Sequence, residues 1–275
     1  MLDSTTVVAL IAAGGTGSRL GNAGGKQLLE VAGRPVVSWT VDAMSSVPEV
    51  DRIIVVTDPD RIDEYAQIVT KHQGSIHAPD KDSDDIGSAS DCTLSFVGGG
   101  DTRTESVRKG LDALLDILQG DSSHNDDSQE SVRRDSHTID LKEVIVLIHD
   151  GARPLATGEM IHRALHAFAD DVHADGLVVA HQATDTLKQV EDGYVVQTPP
   201  REQYWAVQTP QIFKLDMLLK AYEYAQAHDV AATDDASLAE AAGFRVAVFE
   251  GPRDNIKVTC PEDIEFVESA LRTRG

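Results

Sequence analysis

Positive charge is scarce in this chain: 24 Lys and Arg stand against 46 Asp and Glu, a formal net charge of −22 over 275 residues. Such a field repels polyanions, which argues against non-specific nucleic-acid binding and against attachment to an anionic membrane surface. A small phosphorylated substrate remains compatible with it, but a site for one must gather its cations locally or use a metal ion. Cysteine is nearly missing too. Cys92 and Cys260 lie far apart and make no metal-ligand pattern, which fits a reducing, cytoplasmic setting. No apolar run reaches the roughly 18–20 residues that cross a bilayer. The opening "MLDSTTVVALIAAGG" has no basic stretch and runs into glycines instead of a cleavage site, so no signal peptide is expected. Ser-His-Asp, CxxC and HExxH arrangements are absent, and nucleophilic or zinc-dependent hydrolysis has no support.

What is present is an ordinary globular composition, 41% hydrophobic and 25% charged, long enough for a substantial core. Apolar runs alternate with helix-like segments. Strands are expected at 7–13, 52–57, 93–100, 143–151 and 176–181, and helices from Pro35 and over 60–72, 102–118 and about 158–170. The run "EVIVLIHDG" (143–151) is the strongest strand. Continuous apolar strands separated by helices predict an α/β fold, doubly wound around a mostly parallel sheet and forming a single domain over 1–275.

Two polar segments break the rhythm. Residues 120–137 are acidic and serine-rich with one aliphatic residue, Val132, and read as a flexible insertion; 79–92 is a shorter segment of the same kind. A third break, 184–213, alternates with period two around "EDG" and reads as a hairpin with Asp192-Gly193 at its tip. Its exposed Val, Tyr and Trp suit either a dimer arm or an edge extension of the same domain.

Three constellations carry chemistry. The first strand runs into Gly14, Gly15 and Gly17, whose bare backbone can approach phosphate oxygens. Leu20 spoils the dinucleotide fingerprint, and Gln27 after Gly25-Lys26 spoils the Walker sequence. What remains is Arg19 and, seven residues on, Lys26, two cations able to neutralise charge on a triphosphate under attack. The alternative is a glycine turn with two surface cations. Asp150 ends the strongest strand, where doubly wound sheets place their ligands, and suits Mg²⁺ or a turn cap, with Arg153 three residues on. Near the C-terminus, Asp254 is a second metal candidate and Lys257 a phosphate contact. Thr259, with Glu262 three residues later, reads as a capping box or a ligand contact. Arg103, Ser106, Thr186, Lys188, Arg201 and Thr209 are further polar candidates. His149, inside an apolar strand, reads as a structural histidine.

In order along the chain, "AGGTGSRL", "GKQ", "GGDTRTESV", "HDGARP", "DTLK", "REQYWAVQTPQIF", "TDDASLAEAAG" and "DNIKVTCPED" resemble the motifs of the 2-C-methyl-D-erythritol 4-phosphate cytidylyltransferases, over nearly the whole chain. The resemblance implies a Rossmann-like fold of the nucleotide-diphospho-sugar transferase type and transfer of a cytidylyl group from CTP to the methylerythritol phosphate. It implies that Arg19 and Lys26 stabilise the transition state. Ala13, Gly14, Gly15, Thr16, Gly17 and Ser18 would hold the nucleotide, with Gly100, Asp101, Arg103 and Ser106 at cytosine and ribose. Asp150 and Asp254 would serve Mg²⁺ or another divalent cation. Arg201 and Lys257 would position the polyol phosphate, with Arg153, Thr186 and Thr209 nearby. The hairpin (184–210) would be a homodimer arm, so that Arg201 and Thr186 complete the partner subunit's site.

The chain departs from that pattern in three places. Gly25 replaces the usual proline before Lys-Gln, which predicts a more flexible loop at Lys26; Gly151 replaces an alanine; and the acidic insertion is additional. A ribitol 5-phosphate cytidylyltransferase shares most of these motifs and is the nearest rival. A non-catalytic nucleotide-binding regulator is the rival from another class, and it would not need Lys26 and Lys257. A nicotinamide-dependent oxidoreductase fails at Leu20.

Overall fold

The computed structural model describes residue 2 and residues 5–15, 25–72, 92–120 and 140–274. Strand β1 (Thr6–Ala12) is followed by two short strands, β2 (Glu30–Val31) and β3 (Arg34–Pro35), and helix α1 (Val36–Ser45). Then come β4 (Arg52–Thr57), α2 (Ile62–His72), β5 (Thr93–Gly98), α3 (Arg103–Gly120), β6 (Val144–Asp150), α4 (Gly158–Asp170) and β7 (Gly176–Gln182). A hairpin of β8 (Gln189–Glu191) and β9 (Tyr194–Gln197) leads to β10 (Trp205–Lys214), α5 (Leu215–His228), α6 (Asp235–Ala241), β11 (Val246–Glu250) and α7 (Pro261–Arg274). The expected elements are all found within a few residues of their predicted bounds. The polar segments lie outside the described residues, apart from Gly120, which ends α3, and Cys92, which is buried before β5.

Seven strands form one sheet in the order β11-β7-β10-β6-β1-β4-β5. All neighbours are parallel except at β10, which runs antiparallel to both β6 and β7. The apolar runs follow from burial on both faces. In β1, Val7, Ala9 and Ile11 join a cluster with residues of α1, α2 and α4, while Val8 and Leu10 join another with α3, α5 and α6. Gly110 lets α3 sit against the sheet: a Cβ there would lie 2.6 Å from Leu10 Cδ1 and 2.8 Å from Val56 Cγ2. A third cluster, with Val31, Val36, Leu155, Val258 and Val267, seats α7.

The hairpin has the predicted tip. Asp192 (φ 50) and Gly193 (φ 84) both occupy the left-handed region that a two-residue turn needs to match strand twist. One local expectation is corrected. Helix α7 starts at Pro261, so its third position is Asp263, and that carboxylate, not Glu262, accepts from the Thr259 and Cys260 amides at 2.6 and 2.9 Å. Among the described residues no helix is long and apolar enough to cross a membrane.

Candidate active site

The chain leaves β1 toward β4 on one side, while β6 is added on the other, so a crevice opens at the carboxyl ends of β1 and β6. Ala12 and Asp150 are register partners there, and the Gly151 amide bonds to Ala12 O at 2.9 Å. The glycine loop begins from a fixed point. The Ala13 amide donates to Val56 O at 2.7 Å, and the Tyr65 hydroxyl donates to Ala13 O at 3.0 Å. Ala13 is buried, Gly14 half-buried and Gly15 exposed at the crevice end. Thr16, Gly17, Ser18 and Arg19 lie outside the described residues.

The chain is described again at Gly25, with φ 75. Proline is locked near φ −65°, so the departure from the family pattern at this position uses a backbone conformation closed to proline. Lys26 follows in a short 3₁₀ turn, and its Nζ donates to Val258 O at 2.9 Å.

Asp150 is the centre of the site. It is buried, 7% exposed, and three cations reach it: Lys257 Nζ at 2.9 Å, Arg103 Nε at 3.2 Å and Arg153 Nε at 3.6 Å. Burial would raise the Asp150 carboxyl, but the charges of Lys257, Arg103 and Arg153 outweigh it and hold the group well below the usual carboxylate range. Arg103 bridges onward to Asp235 Oδ2 at 2.7 Å. Burial opposes the Arg103 charge, and Asp235 and Asp150 more than offset it. Arg153 loses more to burial than Asp150 returns, and its Nη1 donates to Asn255 O at 2.6 Å. The Val258 amide bonds to Ala152 O, so the segment bearing Lys257 is laced to the loop bearing Arg153 and is also held by Lys26.

Thr209 is buried, its hydroxyl 2.9 Å from His149 Nδ1 and accepting from the Asp150 amide at 3.1 Å. It therefore steadies the strand end that presents Asp150. His149 is a structural histidine as expected, its imidazole pushed down to about 3 by burial, with Asp150 offsetting only part of the effect.

The opposite wall is the start of α3. The Gly100 amide bonds to Ser106 Oγ at 3.1 Å, and Lys109 Nζ donates to Gly99 O at 2.8 Å. Thr102 and Glu105 form a reciprocal cap: Glu105 Oε2 accepts from the Asp101 and Thr102 amides, and the Glu105 amide donates to Thr102 Oγ1. Gly100, Asp101, Arg103 and Ser106 are thus held together in one turn.

Two expected site residues stand elsewhere. Arg201 lies on the arm with its Nη1 on Thr184 O at 2.8 Å, and Thr186 is exposed on the same arm; neither has a hydrogen bond or ion pair with the Asp150 cluster. Asp254 is bound by Arg274 Nη2 at 2.6 Å. Asp235, in "TDDAS", is a member of the cluster that its sequence surroundings do not mark. It is 1% exposed and accepts from the Tyr222 hydroxyl at 2.6 Å, and Gln211 Oε1 accepts from its amide. The local signal was an Asp at the first turn of a helix, which reads as a surface cap.

Cations gathered at the switch point of a doubly wound sheet, where β1 runs into Gly14 and Gly15, mark the fold as that of a Rossmann-like nucleotidyltransferase. The family model for 2-C-methyl-D-erythritol 4-phosphate cytidylyltransferase matches residues 7–121 and 116–273. The chain belongs to that family. It is 34% identical over 270 residues to the enzyme of that name from Desulforamulus reducens, covering 98% of this chain and 97% of the relative. It is 35% identical over 268 residues to the one from Prochlorococcus marinus, covering 97% and 98%. Among solved structures it is similar to the 4-diphosphocytidyl-2C-methyl-D-erythritol synthase from Anaerococcus prevotii, with TM-score 0.70, 29% identity and 98% and 100% of the two chains covered. It is also similar to the cytidylyltransferase from Thermus thermophilus, with TM-score 0.64, 27% identity and 98% and 99% covered.

Proposed function

We propose that the protein transfers a cytidylyl group from CTP to 2-C-methyl-D-erythritol 4-phosphate, giving 4-diphosphocytidyl-2-C-methyl-D-erythritol and pyrophosphate. The observation that carries the reading is the convergence of Lys257, Arg103 and Arg153 on Asp150, with Lys26 bonded to the Val258 carbonyl next to Lys257, in a chain of net charge −22. Among the described residues, these cations gather at the carboxyl ends of β1 and β6, which supports the reading.

An oxygen of the substrate phosphate attacks the α-phosphorus of CTP in line. A new P–O bond forms, the bond to the bridging α–β oxygen breaks, and its electron pair leaves with pyrophosphate. The attacking phosphate is already anionic at neutral pH, so no protein base is needed. Lys26 and Arg19 stabilise the charge spreading over the α-phosphate and leaving group. Lys257 and Arg153 hold the incoming phosphate beside it.

Asp150 fits a divalent ion: its carboxylate is ionised at the crevice, and Mg²⁺ is bound through one or two carboxylates plus phosphate oxygens. Bound there, Mg²⁺ would neutralise the triphosphate and polarise its α-phosphorus. Asp254 is the second candidate; Arg274 engages its carboxylate as Lys257, Arg103 and Arg153 engage that of Asp150, so an ion at either residue would displace a bound cationic side chain.

The arm is proposed as a homodimer contact that carries Arg201 and Thr186 to the partner subunit's site. Val190, Tyr194, Val195, Val196, Tyr204, Trp205 and Val207 are all exposed there. The free thiols of Cys92 and Cys260 fit a cytoplasmic protein.

The test is pyrophosphate release with CTP and Mg²⁺, comparing methylerythritol and ribitol phosphates. Faster release with methylerythritol phosphate is expected. Preference for the ribitol compound overturns the substrate, and activity on neither turns the reading to a nucleotide-binding regulator. Arg19→Ala and Lys26→Ala should each lower turnover by at least about tenfold with the fold intact; near-parental rates in both remove them from catalysis.

A further inference from the structure

Away from the crevice, α4 carries two histidines four residues apart, His162 and His166. This spacing puts both on one helix face, with ring centroids 4.3 Å apart. Glu49 meets them from the turn between α1 and β4. Its Oε1 lies 3.0 Å from His162 Nδ1 and 2.8 Å from His166 Nε2, although more than 110 residues of chain separate it from either. One donor atom from each of the three residues falls within 4.8 Å of the others. We propose that Glu49, His162 and His166 form a binding site for a divalent transition-metal ion of the zinc class, joining α4 to the turn before β4.

The donor set is the first argument. Two imidazole nitrogens and a carboxylate oxygen match the borderline preference of Zn²⁺, and three protein ligands leave a fourth tetrahedral position for water. Metal–ligand bonds of about 2.1 Å in a tetrahedron put donor atoms about 3.4 Å apart, so the two separations from Glu49, 3.0 and 2.8 Å, need open by only about half an ångström.

The second argument is rigidity. Glu49 is flanked by the buried Val47 and Val50, and the Val50 amide bonds back to Val47 O at 3.0 Å. On α4, Ile161, Ala164 and Leu165 are buried and fix the helix rotation that presents both imidazoles. The site is thus largely formed before an ion arrives, while half-exposed His162 and His166 side chains leave an entry path. Glu49 supplies a charged ligand.

The test uses the untagged full chain, stripped with a chelator and titrated calorimetrically with Zn²⁺ in the absence of nucleotide. One saturable equivalent per chain is expected, together with a rise in thermal midpoint. His162→Gln and His166→Gln, which keep the helix, should each weaken binding by at least about tenfold and abolish the thermal shift. His173→Gln and Asp150→Asn should leave both intact. Cobalt(II) should give a visible absorption band in the parent chain that both histidine variants lose. Absence of saturable zinc binding, or binding unchanged in His162→Gln and His166→Gln, overturns the proposal. So does binding that disappears in Asp150→Asn and survives His166→Gln, because the ion would then sit in the nucleotide crevice.

Discussion

Asp150 and Arg201 are the centres of two differently built regions. Asp150 is closed in by Lys257, Arg103 and Arg153, and its backbone amide is bound by Thr209. Arg201 stands half in solvent, on the Thr184 carbonyl and 3.7 Å from Glu202. In the first region each charge is the condition for burying the next, so folding and chemistry share the same groups. In the second, the side chains have few partners among the described residues, and the role proposed for them is a contact with a partner subunit. Single substitutions should therefore disturb stability and turnover together at Asp150 and separate them on the arm.

Arg103→Ala is expected to do the greatest damage. It strands Asp235, 1% exposed, and removes one counter-charge from Asp150, and breaking a buried pair by deleting one partner costs about 3–5 kcal/mol. Urea unfolding measures this. A loss under about 1 kcal/mol would mean that water screens the cluster, and the contrast with the arm would fail. Lys257→Ala removes the nearest counter-charge of Asp150 and should act on both stability and turnover, with a smaller loss of stability than Arg103→Ala because its side chain is more exposed, at 36%. Its kcat/KM for the polyol phosphate should fall about 100-fold while the KM for CTP moves little. An equal rise in both KM values would show instead that the crevice has collapsed.

Acid should weaken the same region. Unfolded, His149 takes up a proton near pH 6.5, whereas in the folded chain burial holds its pKa at about 3. Between those limits the unfolded state binds the extra proton. The stability is therefore whole above about pH 6.5 and declines as pH falls, by at most about 1.4 kcal/mol per unit from this group. Asp150, whose folded pKa is depressed, adds a further loss below about pH 4. Urea midpoints from pH 7 to 4 should fall, and His149→Gln should flatten that fall. Equal slopes in parent and variant would sink the assignment.

The two regions also differ in how far the sequence discloses them. Strand β6 is legible because both its faces are covered and its residues read as one apolar run ending in Asp150. The arm's tip is legible because Asp192-Gly193 states its own turn chemistry. What surrounds Asp150 is not legible. Arg103 reaches Asp235 across 132 residues, and Arg153 reaches the Asn255 carbonyl across 102, contacts that no local pattern encodes. Thr209 could be marked as polar in a strand, but only the register of β10 against β6 reveals that its hydroxyl is already engaged by His149 and the Asp150 amide. The Glu49–His162–His166 cluster escapes for the same reason: its third member comes from another element.

The smallest effect on folding is expected on the arm, where it is also the most informative. Val195→Asp changes a side chain 59% exposed, so the stability of the isolated subunit should move by no more than about 0.5 kcal/mol. If the arm is a dimer contact, the same change should shift the protein to monomer in sedimentation and lower turnover in parallel. Complementation then decides whose site the arm completes. Arg201→Ala and Lys26→Ala chains should each be poorly active alone. When they are mixed and allowed to exchange, half of the dimers are mixed, and one of the two sites in each joins an intact Lys26 to an intact Arg201 from the other subunit. Recovery to about a quarter of parental activity is the expected result. If Arg201 served its own subunit's site, every chain in the mixture would carry a defect in its own site and no activity would return, which would reduce the arm to a structural extension of the sheet.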